Sequence, residues 1–140
     1  MLERNLSNQI IRCFYKVYNT LGYGFLEKVY ENALYLELIS NGIYCKKQCP
    51  VKVFYNEFVV GEYYADIIVE DKIILELKAA IALAPENEYQ LINYLKATEI
   101  EVGILMNFGK DPQFVRKIFT NDRKRLNGNT NDANATDDRG

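Results

Sequence analysis

The sequence predicts an α/β fold, or an α+β sandwich, in which helices flank a mixed β-sheet in the order α-α-β-β-β-α-β-β. Apolar residues recur at helical spacing in the first 40 residues, which predicts two helices. Two runs rich in β-branched and aromatic residues then surround a polar break at 70–72, which predicts a hairpin. A further helical segment and two apolar runs follow, so helices are expected to pack against a sheet.

The first two elements are predicted to be an antiparallel pair of amphipathic helices. The first runs from about Asn5 to Thr20, where apolar side chains are three or four residues apart. The second runs from about Phe25 to Ser40 and ends at Asn41-Gly42, since glycine readily takes the left-handed conformation found at helix ends. Its inward side is expected to carry Leu26, Val29, Tyr30, Ala33 and either Leu36 or Glu37.

Three strands are predicted in the middle of the chain. Cys49–Tyr55 and Phe58–Tyr64 form two of them, and the second can continue into the run 66–69. The third is Ile73–Leu77. Apolar residues are nearly continuous on both sides of the polar break, so both faces of these strands are expected to be covered.

The C-terminal third is predicted to hold a helix and two strands. The helix runs from Pro85, a residue that suits the first helical position, to about Ala97. Val102–Phe108 is expected to be a buried strand and Phe114–Phe119 an edge strand. Residues 1–120 would then form a single domain, and the polar, low-complexity segment 121–140 is expected to be disordered.

Composition limits the chemistry open to this chain. The net charge of −2 gives no overall attraction to nucleic acid, so such binding would need a local patch. The absence of histidine excludes a Ser-His-Asp triad and histidine-ligated zinc. Reactions would have to rely on carboxylates, lysine, tyrosine and a hard cation such as Mg²⁺ or Mn²⁺. The three cysteines lack paired spacing and are expected to be reduced thiols.

No stretch has the length or hydropathy of a membrane span, and the first ten residues have no apolar signal core. The sequence therefore predicts a cytoplasmic protein without a membrane partner. It leaves the oligomeric state open, a homodimer included.

Asp66, Glu76 and Lys78 have the spacing of a divalent-metal site for phosphodiester chemistry. Acids inside apolar strands are costly unless something satisfies them. A two-residue turn would place Asp66 opposite Leu75, facing away from Glu76, whereas a three-residue turn or a bulge would place it opposite Glu76. Two structural alternatives stay open: Asp66 as a solvated or capping acid, and Glu76 with Lys78 as an exposed ion pair.

Four segments together resemble a known family. LGYGFLEKVYENAL has the pattern G-x-x-E-x-x-Y at Gly24, Glu27 and Tyr30, and it is followed by GEYYADIIVEDKIILELKA, QLINYLKAT and VGILMNFG. The chain resembles, from about Ile10 to Phe119, the bacterial GxxExxY protein family, which is grouped with the PD-(D/E)XK nuclease superfamily. The resemblance implies a restriction-endonuclease-like fold and a nuclease-like domain over residues 1–120.

The resemblance also implies a set of catalytic residues: Asp66, Glu76, Lys78, Glu27, Gln90 and Tyr94. Asp66, Glu76 and the main-chain carbonyl of Leu77 would hold a Mg²⁺ or Mn²⁺ ion. Lys78 would position the attacking water or stabilise developing charge. Glu27 would complete the metal shell or hold a second ion, although, with Gly24 as N-cap, it would also favour the helix N-terminus electrostatically.

Two functions follow from these residues and this resemblance. The first is a divalent-metal-dependent nuclease that hydrolyses phosphodiester bonds in DNA or RNA. The alternative is a non-catalytic nuclease-like module that binds a protein or nucleic acid partner. The low net charge favours the alternative, as does the loss of the histidines that the family commonly has at the position of Tyr18 and near Asn87.

Overall fold

The computed structural model describes residues 2–124 and contains three α-helices, five strands and one 3₁₀ turn within that range. In chain order these are α1 (Arg4–Leu21), α2 (Glu27–Ser40), β1 (Cys45–Tyr55), β2 (Phe58–Val69), β3 (Ile73–Lys78), α3 (Pro85–Lys96), β4 (Val102–Asn107), β5 (Gln113–Ile118) and η1 (Asn121–Arg123). The predicted order of helices and strands is confirmed, and so is the mixed sheet flanked by helices.

The five strands form one sheet in the spatial order β1-β2-β3-β4-β5. Three neighbouring pairs are antiparallel, and β3 and β4 are parallel because α3 carries the chain back between them. The first hairpin is longer than predicted. Its first strand begins at Cys45 rather than Cys49, and its second strand continues without a break through Val69.

The turn between β2 and β3 settles the register that the sequence leaves open. Val69 pairs with Ile73, so the loop has three residues rather than two. Glu70 and Asp71 both have a φ of 55°, and the Lys72 N–H donates to the Val69 carbonyl at 2.8 Å. This register places the two acids predicted to share a site at neighbouring positions on β2 and β3.

The core has two layers, one on each face of the sheet. Helices α1 and α2 cover one face, where the ring of Tyr30 stacks on Phe108 with centroids 4.5 Å apart. Helix α3 covers the other face, where Leu91 and Leu95 pack against strand residues. The central strands are therefore buried on both faces, as their nearly continuous apolar sequences predict.

The predicted inward side of α2 is wrong in part. Leu26, Val29 and Leu36 are exposed, and Leu26 retains 81% of its accessible surface. The buried residues are Tyr30, Glu31, Leu34 and Leu38. Apolar residues lie on nearly every side of this helix, so their spacing does not identify the face that meets the sheet.

The first residues of the segment predicted to be disordered form a short turn. Asn121–Arg123 form a 3₁₀ turn, and the Asn121 N–H donates to Glu101 Oε2 at 2.7 Å. The remainder of the segment predicted to be disordered, residues 125–140, lies outside the described residues. Within residues 2–124, no helix is both long enough and apolar enough to cross a membrane.

Candidate active site

The candidate site lies where β2 and β3 separate. The two strands pair only from Ile67 and Leu75 toward their turn, while β3 continues alongside β4 as far as Lys78. Beyond the last pair, two side chains take the place of the main-chain ladder. Glu76 Oε2 accepts the Asp66 N–H at 2.9 Å, and Asp66 Oδ2 accepts the Leu77 N–H at 2.8 Å. The two acids are therefore tied to each other's strand at one point.

Burial dominates the electrostatics of this pair. Glu76 retains 8% of its accessible surface, and its desolvation, followed by the negative charge of Asp66, raises its pKa to about 8. Burial also raises the pKa of Asp66, against the lowering effect of the Leu77 N–H, and the charges of Glu31 and Glu27 raise it further. The site therefore disfavours two negative charges and would be stabilised by a cation.

Glu31 and Gln48 belong to the same cluster, although neither is among the site residues predicted from the sequence. Glu31 is buried on α2, with Oε2 at 3.3 Å from Lys28 Nζ. Gln48 Nε2 donates to Glu31 Oε1 at 3.0 Å and makes a long contact of 3.5 Å with Asp66 Oδ1. Glu31 follows Glu27 by one helical turn and Tyr30 by one residue, a spacing that could have identified it. Nothing in the sequence around Gln48 indicates its position.

Gln90 and Tyr94 are in contact on α3, as their spacing of four residues predicts. Gln90 Nε2 donates to the Tyr94 hydroxyl at 2.6 Å, and the Tyr94 ring packs on Tyr63 with centroids 5.8 Å apart. Burial raises the pKa of Tyr94, the Gln90 hydrogen bond lowers it, and the charges of Glu76 and Asp66 raise it again. The buried hydroxyl therefore lies close enough to the acid pair to sense its charge.

Glu27 is more peripheral than the other acids. Leu26 is the N-cap of α2, so Glu27 is the first helical residue rather than the third, and its side chain is exposed. An acid at this position still interacts favourably with the positive end of the helix. Its charge reaches Asp66, yet among residues 2–124 no hydrogen bond joins Glu27 to Asp66 or Glu76.

Lys78 is the last residue of β3 and is half-buried. It is two residues from Glu76 on the same strand, so the two share a face of the sheet, and its charge lowers the pKa of Glu76 against the larger effect of burial. The alternative of an exposed Glu76–Lys78 ion pair is wrong, because Glu76 is buried and, in the part of the chain that is described, Lys78 forms no salt bridge. The Lys78 carbonyl accepts the Phe108 N–H at 2.8 Å, which fixes this end of the strand.

The donor atoms suit a hard cation. Over residues 2–124, no three acidic, cysteine or histidine side chains are arranged to hold an ion between them. Glu76 nevertheless contributes a buried carboxylate and Asp66 a half-buried one. One oxygen of each accepts a peptide N–H, and the second oxygen of Asp66 makes only the long contact with Gln48. Mg²⁺ commonly binds one or two carboxylates and keeps several waters. The pair therefore fits Mg²⁺ or Mn²⁺ with the rest of the shell supplied by water and main-chain oxygen.

A family model described as the PD-(D/E)XK nuclease superfamily matches residues 4–118. The chain belongs to the PD-(D/E)XK nuclease superfamily. The match runs from α1 through β5, so it includes both strands of the acid pair and both helical layers. Nucleases of this superfamily generally use divalent metal ions. Membership in the narrower GxxExxY family stays a prediction, and neither the curated proteins nor the solved structures gave a match.

Proposed function

We propose that this chain is a divalent-metal-dependent nuclease that hydrolyses phosphodiester bonds in DNA or RNA at the separation of β2 and β3. The observation that carries the proposal is the reciprocal attachment of Asp66 and Glu76 to each other's strand, which brings a half-buried and a buried carboxylate together. Lys78 follows Glu76 by two residues on the same strand. Membership of a nuclease superfamily supports a nuclease-like function.

Each residue has a role that its position supports. Asp66, Glu76 and the Leu77 carbonyl would hold Mg²⁺ or Mn²⁺, which when bound would stabilise charge on the scissile phosphate and lower the pKa of the attacking water. Lys78 would orient that water or stabilise charge in the transition state. Because Gln90 donates to the Tyr94 oxygen, the hydroxyl proton of Tyr94 remains free to be donated to a phosphate. Glu27 would act at the rim, through charge or through bound water.

Burial makes the site responsive to cations. With a pKa of about 8, Glu76 holds its proton at neutral pH when no cation is bound. Its oxygen Oε2 can accept the Asp66 N–H in either protonation state, so the separation of the strands does not depend on ionisation. Binding of a divalent ion favours the carboxylate and releases the proton. Metal binding near neutral pH should therefore be accompanied by proton release.

A cleavage assay with matched lysine variants tests the proposal. Labelled single-stranded and duplex DNA and RNA are incubated with Mg²⁺ or Mn²⁺ and the unmutated chain, Lys78→Ala, Lys78→Arg, Asp66→Ala or Lys72→Ala. Lys72 is the exposed lysine of the neighbouring turn and serves as control. Cleavage should be lost in Lys78→Ala and Asp66→Ala, retained in Lys72→Ala, and poorly restored by Lys78→Arg because a guanidinium is bulkier and forked.

Calorimetric titration with Mn²⁺ separates chemistry from binding. Lys78→Ala should keep most of the metal affinity, because lysine acts on the water and the transition state, whereas Asp66→Ala should lose it. Divalent ions should also raise the melting temperature of the unmutated chain by mass action. Cleavage of equal strength in Lys78→Ala would indicate a contaminating nuclease and remove the support for catalysis.

One observation favours the alternative of a non-catalytic binding module. Asp66 and Glu76 each accept a peptide N–H where the strand ladder ends, a structural role that requires no metal. Such a module would show no divalent-dependent cleavage in the unmutated chain and no change of melting temperature with Mg²⁺. Lys78→Ala would then alter at most a salt-sensitive affinity for nucleic acid.

A further inference from the structure

Gln48 occupies an unusual backbone position directly across from Asp66. Its neighbours on β1, Lys47 and Cys49, pair with Ile67 and Ala65, so Gln48 and Asp66 face each other between two regular pairs. Gln48 has a φ of 52°, in the left-handed region that side chains other than glycine seldom adopt. The pairs on either side hold the backbone in this conformation.

The β1–β2 ribbon changes face at this point. Residues two apart on a regular strand share a face, yet Ala65 packs in the α3 layer and Ile67 in the layer under α1 and α2. On β1, Cys45 and Cys49 likewise lie in opposite layers although they are four residues apart. The inversion lets Gln48 and Asp66 extend to the same site from adjacent strands.

The Gln48 amide joins two acids. Its two N–H groups can be donated at once, and Nε2 lies 3.0 Å from Glu31 Oε1 and 3.5 Å from Asp66 Oδ1. Lys28 Nζ lies 3.4 Å from the same oxygen of Glu31 and 3.3 Å from Oε2. Asp66 is thus restrained at both oxygens, by the Leu77 N–H on one side and by the amide on the other.

We propose that Gln48, anchored by the buried Glu31, is a positioning residue that turns Asp66 Oδ1 toward the divalent cation. This inference rests on the proposed function, because it assigns the two residues to the same metal site. Partners that orient a metal-binding side chain typically change metal affinity by ~10–100-fold when they are removed. The pair would act through Asp66 and would not touch the ion.

Calorimetric titration of the full chain with Mn²⁺ tests this role. Gln48→Gly removes the amide but suits a positive φ, so the backbone conformation is retained. Affinity should fall by ~10-fold or more, with the melting temperature in EDTA unchanged or raised. Gln48→Asn, which tolerates the same φ and keeps an amide, should recover part of the affinity. Because neither variant changes the charge of the site, a lower Mn²⁺ affinity would reflect the orientation of Asp66 rather than a weaker electrostatic attraction.

Glu31→Gln tests the anchor, with Glu37→Gln as its matched control on the same helix. Glu37 pairs with Lys16 rather than with the site. Affinity should fall in Glu31→Gln and stay within about twofold in Glu37→Gln, since an outer partner typically matters by tenfold or more. Unchanged affinity in Gln48→Gly would overturn the positioning role and leave the proposed nuclease intact. Absence of Mn²⁺ binding by the unmutated chain would overturn both.

Discussion

Glu76 accepts the backbone N–H of Asp66 at 2.9 Å, and this contact marks the place where β2 leaves β3. In this position the Glu76 carboxylate is buried between the strands, where it is desolvated and lies beside Asp66. The arrangement couples two properties, the protonation of Glu76 and the affinity for a cation. Each can be measured separately.

Stability of the metal-free protein should decrease with pH between about 4.5 and 8. Folding raises the pKa of Glu76 from its ordinary value of 4.5 to about 8, so within this window the folded state binds more protons than the unfolded state. The free energy of unfolding then falls as pH rises, and a shift of this size corresponds to a few kcal/mol. Asp66, whose pKa is also raised, contributes with the same sign.

Urea denaturation in EDTA across this pH range measures the effect. Glu76→Gln should flatten the dependence, whereas Glu62→Gln, which alters an exposed acid of the same hairpin, should leave it in place. Saturating Mg²⁺ should restore most of the stability lost near pH 8. A stability profile of Glu76→Gln that parallels the unmutated chain would contradict the burial of an ionisable group at this position.

Glycine in the turn between β2 and β3 should stabilise the protein at position 71 but not at position 70. Glu70 and Asp71 both have a φ of 55°, which costs roughly 1 kcal/mol per residue in side chains other than glycine. Glu70 offsets this by accepting the Tyr44 N–H at 3.1 Å, while Asp71 forms an exposed pair with Lys46.

Asp71→Gly should therefore raise the free energy of unfolding by about 0.5 kcal/mol, and Glu70→Gly should be close to neutral. Thermal and urea unfolding of both variants measure the difference. Lys46→Ala measures how much the Lys46–Asp71 ion pair contributes to the free energy of unfolding, which is also lost in Asp71→Gly. A loss of stability in Asp71→Gly would show that the side chain contributes more than the backbone strain costs.

The sequence alone predicts the order of helices and strands. It does not decide whether Asp66 and Glu76 lie side by side. Periodicity locates both strands of the hairpin because their apolar runs are long. It cannot choose between a two- and a three-residue turn, since Glu70 gives no sequence signal for a positive φ and Asp71, although it tolerates one, occurs in turns of either length. Gln48 is not predicted as a site residue, because a residue with a positive φ inside a strand produces no recognisable pattern in the sequence. Glu31 is missed because the apolar residues of α2 do not mark one face.

Gly109 should be intolerant of a side chain. A Cβ at this position would overlap the Ala80 carbonyl oxygen, and the Asn107 side chain holds Ala80 in place by hydrogen bonds of 2.9 Å to its N–H and its carbonyl. Ala80 follows Lys78 by two residues, so a shift of this segment reaches the end of β3.

Gly109→Ala should lower the melting temperature and reduce metal-dependent cleavage. Gly61→Ala is the matched control, since its Cβ would meet its nearest neighbour at 3.5 Å. Asn107→Ala should cost about 2 kcal/mol, because it removes two hydrogen bonds to the Ala80 main chain at roughly 1 kcal/mol each. Circular dichroism melts of the three variants test the ranking, and a Gly109→Ala protein as stable as Gly61→Ala would contradict the close approach.

Tyr94→Phe should show whether the Tyr94 hydroxyl takes part in cleavage, because phenylalanine keeps the packing of the ring on the α3 side of the site. The ring is buried and packs on Tyr63, contacts that phenylalanine keeps, so the free energy of unfolding should change by less than about 1 kcal/mol. The hydroxyl accepts from Gln90 at 2.6 Å, so under the proposed function its proton would be available to the phosphate of the substrate. Its removal should lower kcat for cleavage by roughly tenfold, corresponding to the loss of one transition-state hydrogen bond, with Mn²⁺ affinity nearly unchanged.

Tyr89→Phe, which alters an exposed tyrosine of the same helix, is the matched control and should change neither kcat nor Mn²⁺ affinity. Equal kcat values for Tyr94→Phe and Tyr89→Phe would exclude the hydroxyl from the reaction, and a fall in Mn²⁺ affinity would place it with the residues that orient the acids.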